Sequence, residues 1–232
     1  MSTAPSDSIA GVPLDVRVNP RARRMTLRFD DRRGALRLTV PPRTSRRAAL
    51  TWAAGQRTWV ETQLARQPAP LPLEPGATIP LEGVDVRLVW DEGMSRIVAR
   101  GETTLSCGGP LASFPSRIEA WLKRLARDTL SRETAEVAAR AEVTISAVSI
   151  GDADSRWGSC SAAGAIRYSW RMILAPPEAR RFVVAHEVAH RVHMNHGAEF
   201  KRLETTLFGG PVAPARLLLR RVAPVIRRVG RR

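Results

Sequence analysis

Lysine is almost missing from this chain. Lys123 and Lys201 are the only two, so the formal net charge of +15 is carried nearly entirely by arginine. Such a balance has two readings: a surface for a polyanion or nucleic acid, or the arginine usage of a GC-rich genome. The arginines are spread along the chain and no nucleic-acid motif accompanies them, which favours the second. Cysteine is scarce too. Cys107 and Cys160 cannot make a disulfide framework, and neither stands at metal-ligand spacing, so both are expected as reduced thiols. No run approaches the roughly 18 uninterrupted apolar residues of a membrane span. Residues 1–12 lack a basic stretch followed by an apolar one, so they are expected as a disordered start rather than a signal peptide, in a cytoplasmic protein. Hydrophobic content of 44% nevertheless suffices for a core.

Histidine is the most telling absence. All four copies, His186, His190, His193 and His196, fall in one short window, and none occurs elsewhere. The window begins H-E-x-x-H. On a helix, residues i and i+4 share a face, so His186 and His190 can grip one ion. Glu187 is turned about 100° away, where it can lie beside the ion without ligating it and accept a proton from water. A catalytic zinc takes three protein ligands, so a third is needed. A straight helix would spread His186 to His193 over about 10.5 Å, too far to converge on bonds of about 2.0–2.1 Å. Ending the helix after His190 and folding the chain back brings His196 in instead, with Asn195 and Gly197 expected to supply left-handed turn backbone. Glu199 and Glu204 are rival carboxylate ligands. The residues around the pair, Phe182 to Ala185, Val188, Ala189 and Val192, are apolar on most sides, which marks a buried helix. Buried histidines and a glutamate need partners, and a metal supplies them.

The rest of the chain reads as mixed α and β. Met25, Leu27 and Phe29, then Leu36, Leu38 and Val40, alternate around a turn containing Gly34 and predict a β-hairpin. Ser45 caps one helix running to about Arg66. Pro68, Pro70, Pro72 and Pro75 mark an extended linker. Val84 to Trp90 and Arg96 to Leu105 predict a strand pair, and Pro115 to Arg140 a long amphipathic helix. Val143 to Ile150 predicts a strand. A second hairpin is expected from Ser155–Cys160 and Ile166–Leu174, and Pro176-Pro177 start the histidine helix. Ala198 to Phe208 forms another helix, closed by Gly209-Gly210-Pro211. The arginine-rich end suggests a last short helix with a basic face. No segment repeats. The organisation expected is a disordered start at 1–12, a β-rich region with one helix at 13–112, a catalytic domain at 113–211 and an Arg-rich tail at 212–232.

The run Arg156-Trp157-Gly158-Ser159-Cys160, then Trp170-Arg171, Leu174-Ala175-Pro176-Pro177, the H-E-x-x-H and Asn195-His196 with Phe200, resembles the YgjP-type family of predicted zinc metallopeptidases, relatives of the SprT-like zincins. The resemblance covers most of the chain. It implies an α+β, zincin-like catalytic domain, with His186, His190 and His196 as zinc ligands and Glu187 as general base. The family usually carries asparagine where Ser169 stands. Metzincins share the histidine spacing but carry glycine where His193 stands and a methionine turn downstream, and here no methionine follows His196.

The reading that follows is a peptidase holding one Zn2+ per chain and acting on a peptide or protein. Arg156, Trp157 and Tyr168 are candidates to line its cleft, and the strand near Ile166 to Leu174 could pair with an extended substrate. Two alternatives are a metal-dependent phosphoanhydride hydrolase, with arginines clamping phosphates, and a nucleic-acid-associated zinc protein.

Overall fold

The computed structural model describes residues 7–30, 35–66, 70–153 and 156–231. The Gly34 turn and the first linker proline, Pro68, lie outside the described residues. The chain divides into two compact units, Met1–Gln67 and Pro68–Arg232.

In the first unit, β1 (Ser8–Ile9), β2 (Val12–Val18), β3 (Thr26–Asp30) and β4 (Ala35–Val40) form one sheet in the order β1-β2-β4-β3. The antiparallel β3–β4 pair pairs Leu27 with Leu38. A parallel β2–β4 pair joins it. Pairing of β1 with β2 means that the segment expected as disordered holds strand structure at Ser8–Ile9 and from Val12 on. The single expected helix is two: α1 (Arg46–Ala54) and α2 (Arg57–Arg66). Ser45 caps α1 by accepting from Ala48 N at 3.2 Å. Gly55, a poor helix former, sits at the break. Leu36, Leu38, Val40, Ala49, Ala53 and Val60 make this unit's core.

The second unit starts with β5 (Thr78–Leu81), β6 (Val84–Trp90), β7 (Ala99–Arg100) and β8 (Thr104–Cys107), in the order β5-β6-β8-β7. Its plan repeats that of the first sheet: an antiparallel hairpin, a parallel neighbour, then an antiparallel edge strand. Even the hairpin turns agree. Ala10-Gly11 has φ of 50° and 78°, and Glu82-Gly83 has 53° and 82°, the two left-handed residues of a type I′ turn. A repeat is thus present, in topology rather than in any obvious sequence period. The expected boundary at 112/113 falls inside this unit, because Ile79, Leu88 and Leu105 share a core with the long helix that follows.

That helix, α3 (Phe114–Arg140), buries Ile118, Leu122, Ala126 and Leu130 at i, i+4 spacing. A small sheet of β9 (Ala147–Gly151), β10 (Gly158–Cys160) and β11 (Ala165–Ser169) has the order β10-β11-β9, so β11 is central and β10 an edge. The strand expected to run to Leu174 stops at Ser169, whose side chain accepts from Arg171 N and caps a 3-10 turn at Trp170–Leu174. Serine and asparagine both serve as such caps, so serine meets the local need here. Next come α4 (Pro177–Ala189), α5 (Ala198–Phe208) and α6 (Val212–Ile226). Helix α4 is buried on nearly every side and contacts α3, α5, α6 and β10. No helix among the described residues is long and apolar enough to cross a membrane.

Candidate metal centre

Helix α4 carries His186 and Glu187, and His190 is the residue at its C-terminal cap. The chain then turns, with His193 N bonding back to Ala189 O at 3.0 Å and Gly197 N to Asn195 O at 2.8 Å. Neither Asn195 nor Gly197 takes positive φ. The left-handed backbone expected there is absent: the helix end unwinds through short turns, and Gly197 enters α5 extended, with φ −70° and ψ −170°.

The reversal places three imidazoles together. Ring centroids of His186 and His190 are 4.9 Å apart, of His186 and His196 5.1 Å, and of His190 and His196 4.7 Å. One nitrogen from each lies within 4.8 Å of the others. Nε2 of His186 and Nε2 of His196 are 3.3 Å apart. Two nitrogens bound to one tetrahedral ion at about 2.0–2.1 Å lie about 3.3–3.4 Å from each other, so this pair already has the separation a shared ion requires.

The far sides of two rings are anchored. His186 Nδ1 is 2.7 Å from Glu204 Oε1, and His190 Nδ1 donates to the His193 carbonyl at 3.1 Å. A partner on Nδ1 fixes ring orientation and leaves Nε2 for a metal. The buried ring of Phe200 underlies all three histidines, 5.1, 4.6 and 4.7 Å from their centroids. Glu204, read as a rival ligand, therefore stands behind His186. Glu199 is exposed and pairs with Arg202. His193 contributes its backbone.

Glu187 is 5% exposed. Burial pushes its carboxyl up to about 7, against the opposing charges of His186 and Arg156. It shares with His186 and His190 a cavity of about 330 Å³, walled by Arg156, β10 and Met194. Cys160 lines this cavity as well, its thiol held in the neutral form mainly by burial.

The three residues read as cleft lining separate. Arg156 is at the cavity. Trp157 packs partly buried on the core, with Arg227 stacked 4.6 Å over its ring. Tyr168 is 1% exposed and its hydroxyl meets Thr134 at 3.0 Å. It does not line the cleft, because it shares the buried face of β11 with Ile166.

Residues 23–220 match the family model described as YgjP-like, metallopeptidase domain. The chain belongs to that family, and at family level this is a metal-dependent peptidase. No curated protein and no solved structure matches.

Proposed function

We propose that the second unit is a zincin-like catalytic domain that hydrolyses peptide bonds with one zinc ion held by His186, His190 and His196. The observation that carries this reading is the convergence of three imidazole nitrogens beside a buried glutamate. An all-imidazole donor set suits zinc, as it does copper, iron and nickel, rather than magnesium or calcium. Bound there, the ion would polarise the scissile carbonyl and acidify water. Glu187 accepts the proton of the attacking water and passes it to the leaving amine. Its raised affinity for protons suits both halves of that transfer. Glu204 and the His193 carbonyl hold the rings of His186 and His190, and Phe200 supports all three.

Substrate pairs with β10 rather than β11. Strand β11 is hydrogen-bonded on both sides, whereas β10 is an edge that also walls the cavity. An extended peptide added to that edge would pass over the histidines. The phosphoanhydride alternative gains no support, since Arg156 is the one cation among the described residues lining the cavity.

The test compares wild type with Glu187→Gln on an unstructured protein such as casein. Wild type should cleave it with about one zinc per chain, and the variant should keep the metal and lose cleavage. Loss of metal in the variant would make Glu187 a ligand. Chelator-sensitive hydrolysis of nucleoside triphosphates without proteolysis would overturn the assignment of the substrate.

A further inference from the structure

Helix α6 presents Arg216, Arg220 and Arg221 on its exposed side and has no acidic residue. By composition this is a polyanion tail. The geometry of Arg216 gives it another task. Its Nη2 donates to Glu204 Oε2 at 3.2 Å, while the other oxygen of the same carboxylate meets His186 Nδ1 at 2.7 Å. Its guanidinium also lies 5.3 Å over the Phe182 ring, whose centroid is 6.1 Å from that of His186. Glu204 is 1% exposed, whereas the Arg216 side chain is 46% exposed.

A buried carboxylate with one oxygen on an imidazole still needs a partner for the other. Arg216 supplies it, fixing the rotation of the carboxylate plane. That plane aims the Nδ1–H of His186, and thereby Nε2 on the opposite side of the ring. We infer that Arg216 is a positioning residue of the metal centre, acting through Glu204 on His186, so that the arginine-rich helix is part of the site. This rests on the reading of the three histidines as metal ligands.

The sign of the effect separates this role from simple charge. Deleting a cation near a site for a dication should, by Coulomb's law alone, tighten metal binding. Loss of a positioning contact should weaken it. Zinc dissociation constants, read by competition with a chromogenic chelator, are compared for wild type, Arg216→Gln, Arg216→Lys, Arg220→Gln, Glu204→Gln and Glu204→Gln/Arg216→Gln. Outer partners of metal-bound histidines are worth about 10–100-fold in affinity. Arg216→Gln should weaken zinc about tenfold, with Arg216→Lys recovering part of the loss and Arg220→Gln matching wild type. In the Glu204→Gln background, Arg216→Gln should add nothing, because its target is already gone. Melting of the metal-free proteins reports folding, and Arg216→Lys carries the test if Arg216→Gln unfolds. Tighter or unchanged binding in Arg216→Gln, or a loss that adds in full to that of Glu204→Gln, overturns the inference. A wild type that takes up no stoichiometric metal would instead bring down the metal-site reading and this inference with it.

Discussion

Glu187 occupies the space that a side chain at Gly158 would fill. A Cβ placed on Gly158 would stand 2.5 Å from Oε1 of Glu187, 2.6 Å from its Cγ and 2.8 Å from its Cδ. The glycine thus lets β10 approach α4 closely enough to wall in the carboxylate. The same closeness buries Glu187 and lifts its proton affinity.

Gly158→Ala should therefore displace Glu187 and leave the histidines alone. A misplacement of about 1 Å can cost roughly 100-fold in rate, and a loss of that order in kcat is expected at unchanged zinc content. Wild-type turnover in this variant would show that the glutamate has no need of its present position.

The pH dependence has a defined direction. A general base works deprotonated, so kcat/KM should fall as pH drops through the carboxyl's titration. Burial places that titration near 7, and a bound cation favours the carboxylate and draws it lower. The acid limb should accordingly have its midpoint at or below about pH 7. Arg156 also favours the charged form, so Arg156→Gln should move the limb upward. A pH–rate profile of the two proteins decides this, and a downward move would contradict the role given to Arg156.

Much of this architecture was readable from local pattern. The span Ala198–Phe208 coincides with α5, since its apolar spacing is regular and Gly209, at φ 85°, ends it. The parallel pairing of β2 with β4 was not legible, because it joins distant segments and leaves no local signature. Two residues around the site carry a local signal of their burial. Tyr168 alternates in phase with Ile166, which already marked its face as inward. Glu204 stands four residues after Phe200 and three before Leu207, an acid inside an apolar stripe. Such a residue is buried with a partner, and here the partners are His186 and Arg216.

Glu187 should also weaken the metal-free fold. Its carboxyl is raised from an ordinary 4.5 to about 7. Between those values the native state binds more protons than the unfolded one, so stability declines as pH rises through this window. Above about pH 7 the penalty is fully present. Glu187→Gln removes it and should stabilise the apoprotein by about 1–3 kcal/mol at pH 8. Below pH 4.5 the two proteins should melt together. Urea titrations in a chelator at both pH values make the comparison, and a destabilised variant at pH 8 would rule out the burial penalty.

Among the described residues, an ion pair with both partners buried lies away from the metal centre. Arg180 donates from Nε to both oxygens of Glu133 at 3.1 Å and from Nη2 at 2.7 Å, with Nη1 3.3 Å from Glu82. The arrangement ties α4 to α3 and to the β5–β6 turn, and the Arg180 and Glu133 side chains are 4% and 6% exposed. Replacing Arg180 by Met leaves Glu133 buried with the Arg181 guanidinium 4.0 Å away. Breaking a buried pair from one side costs about 3–5 kcal/mol. Removing both charges together costs less, because no orphaned carboxylate remains. Arg180→Met should thus be less stable than Arg180→Met/Glu133→Gln in urea unfolding. The exposed Arg202–Glu199 pair, with side chains 70% and 62% exposed, sets the contrast. Glu199→Gln should shift stability by no more than about 0.5 kcal/mol, because solvent screens such a pair. Equal losses at the two places would mean that burial is not what gives the Arg180 pair its weight.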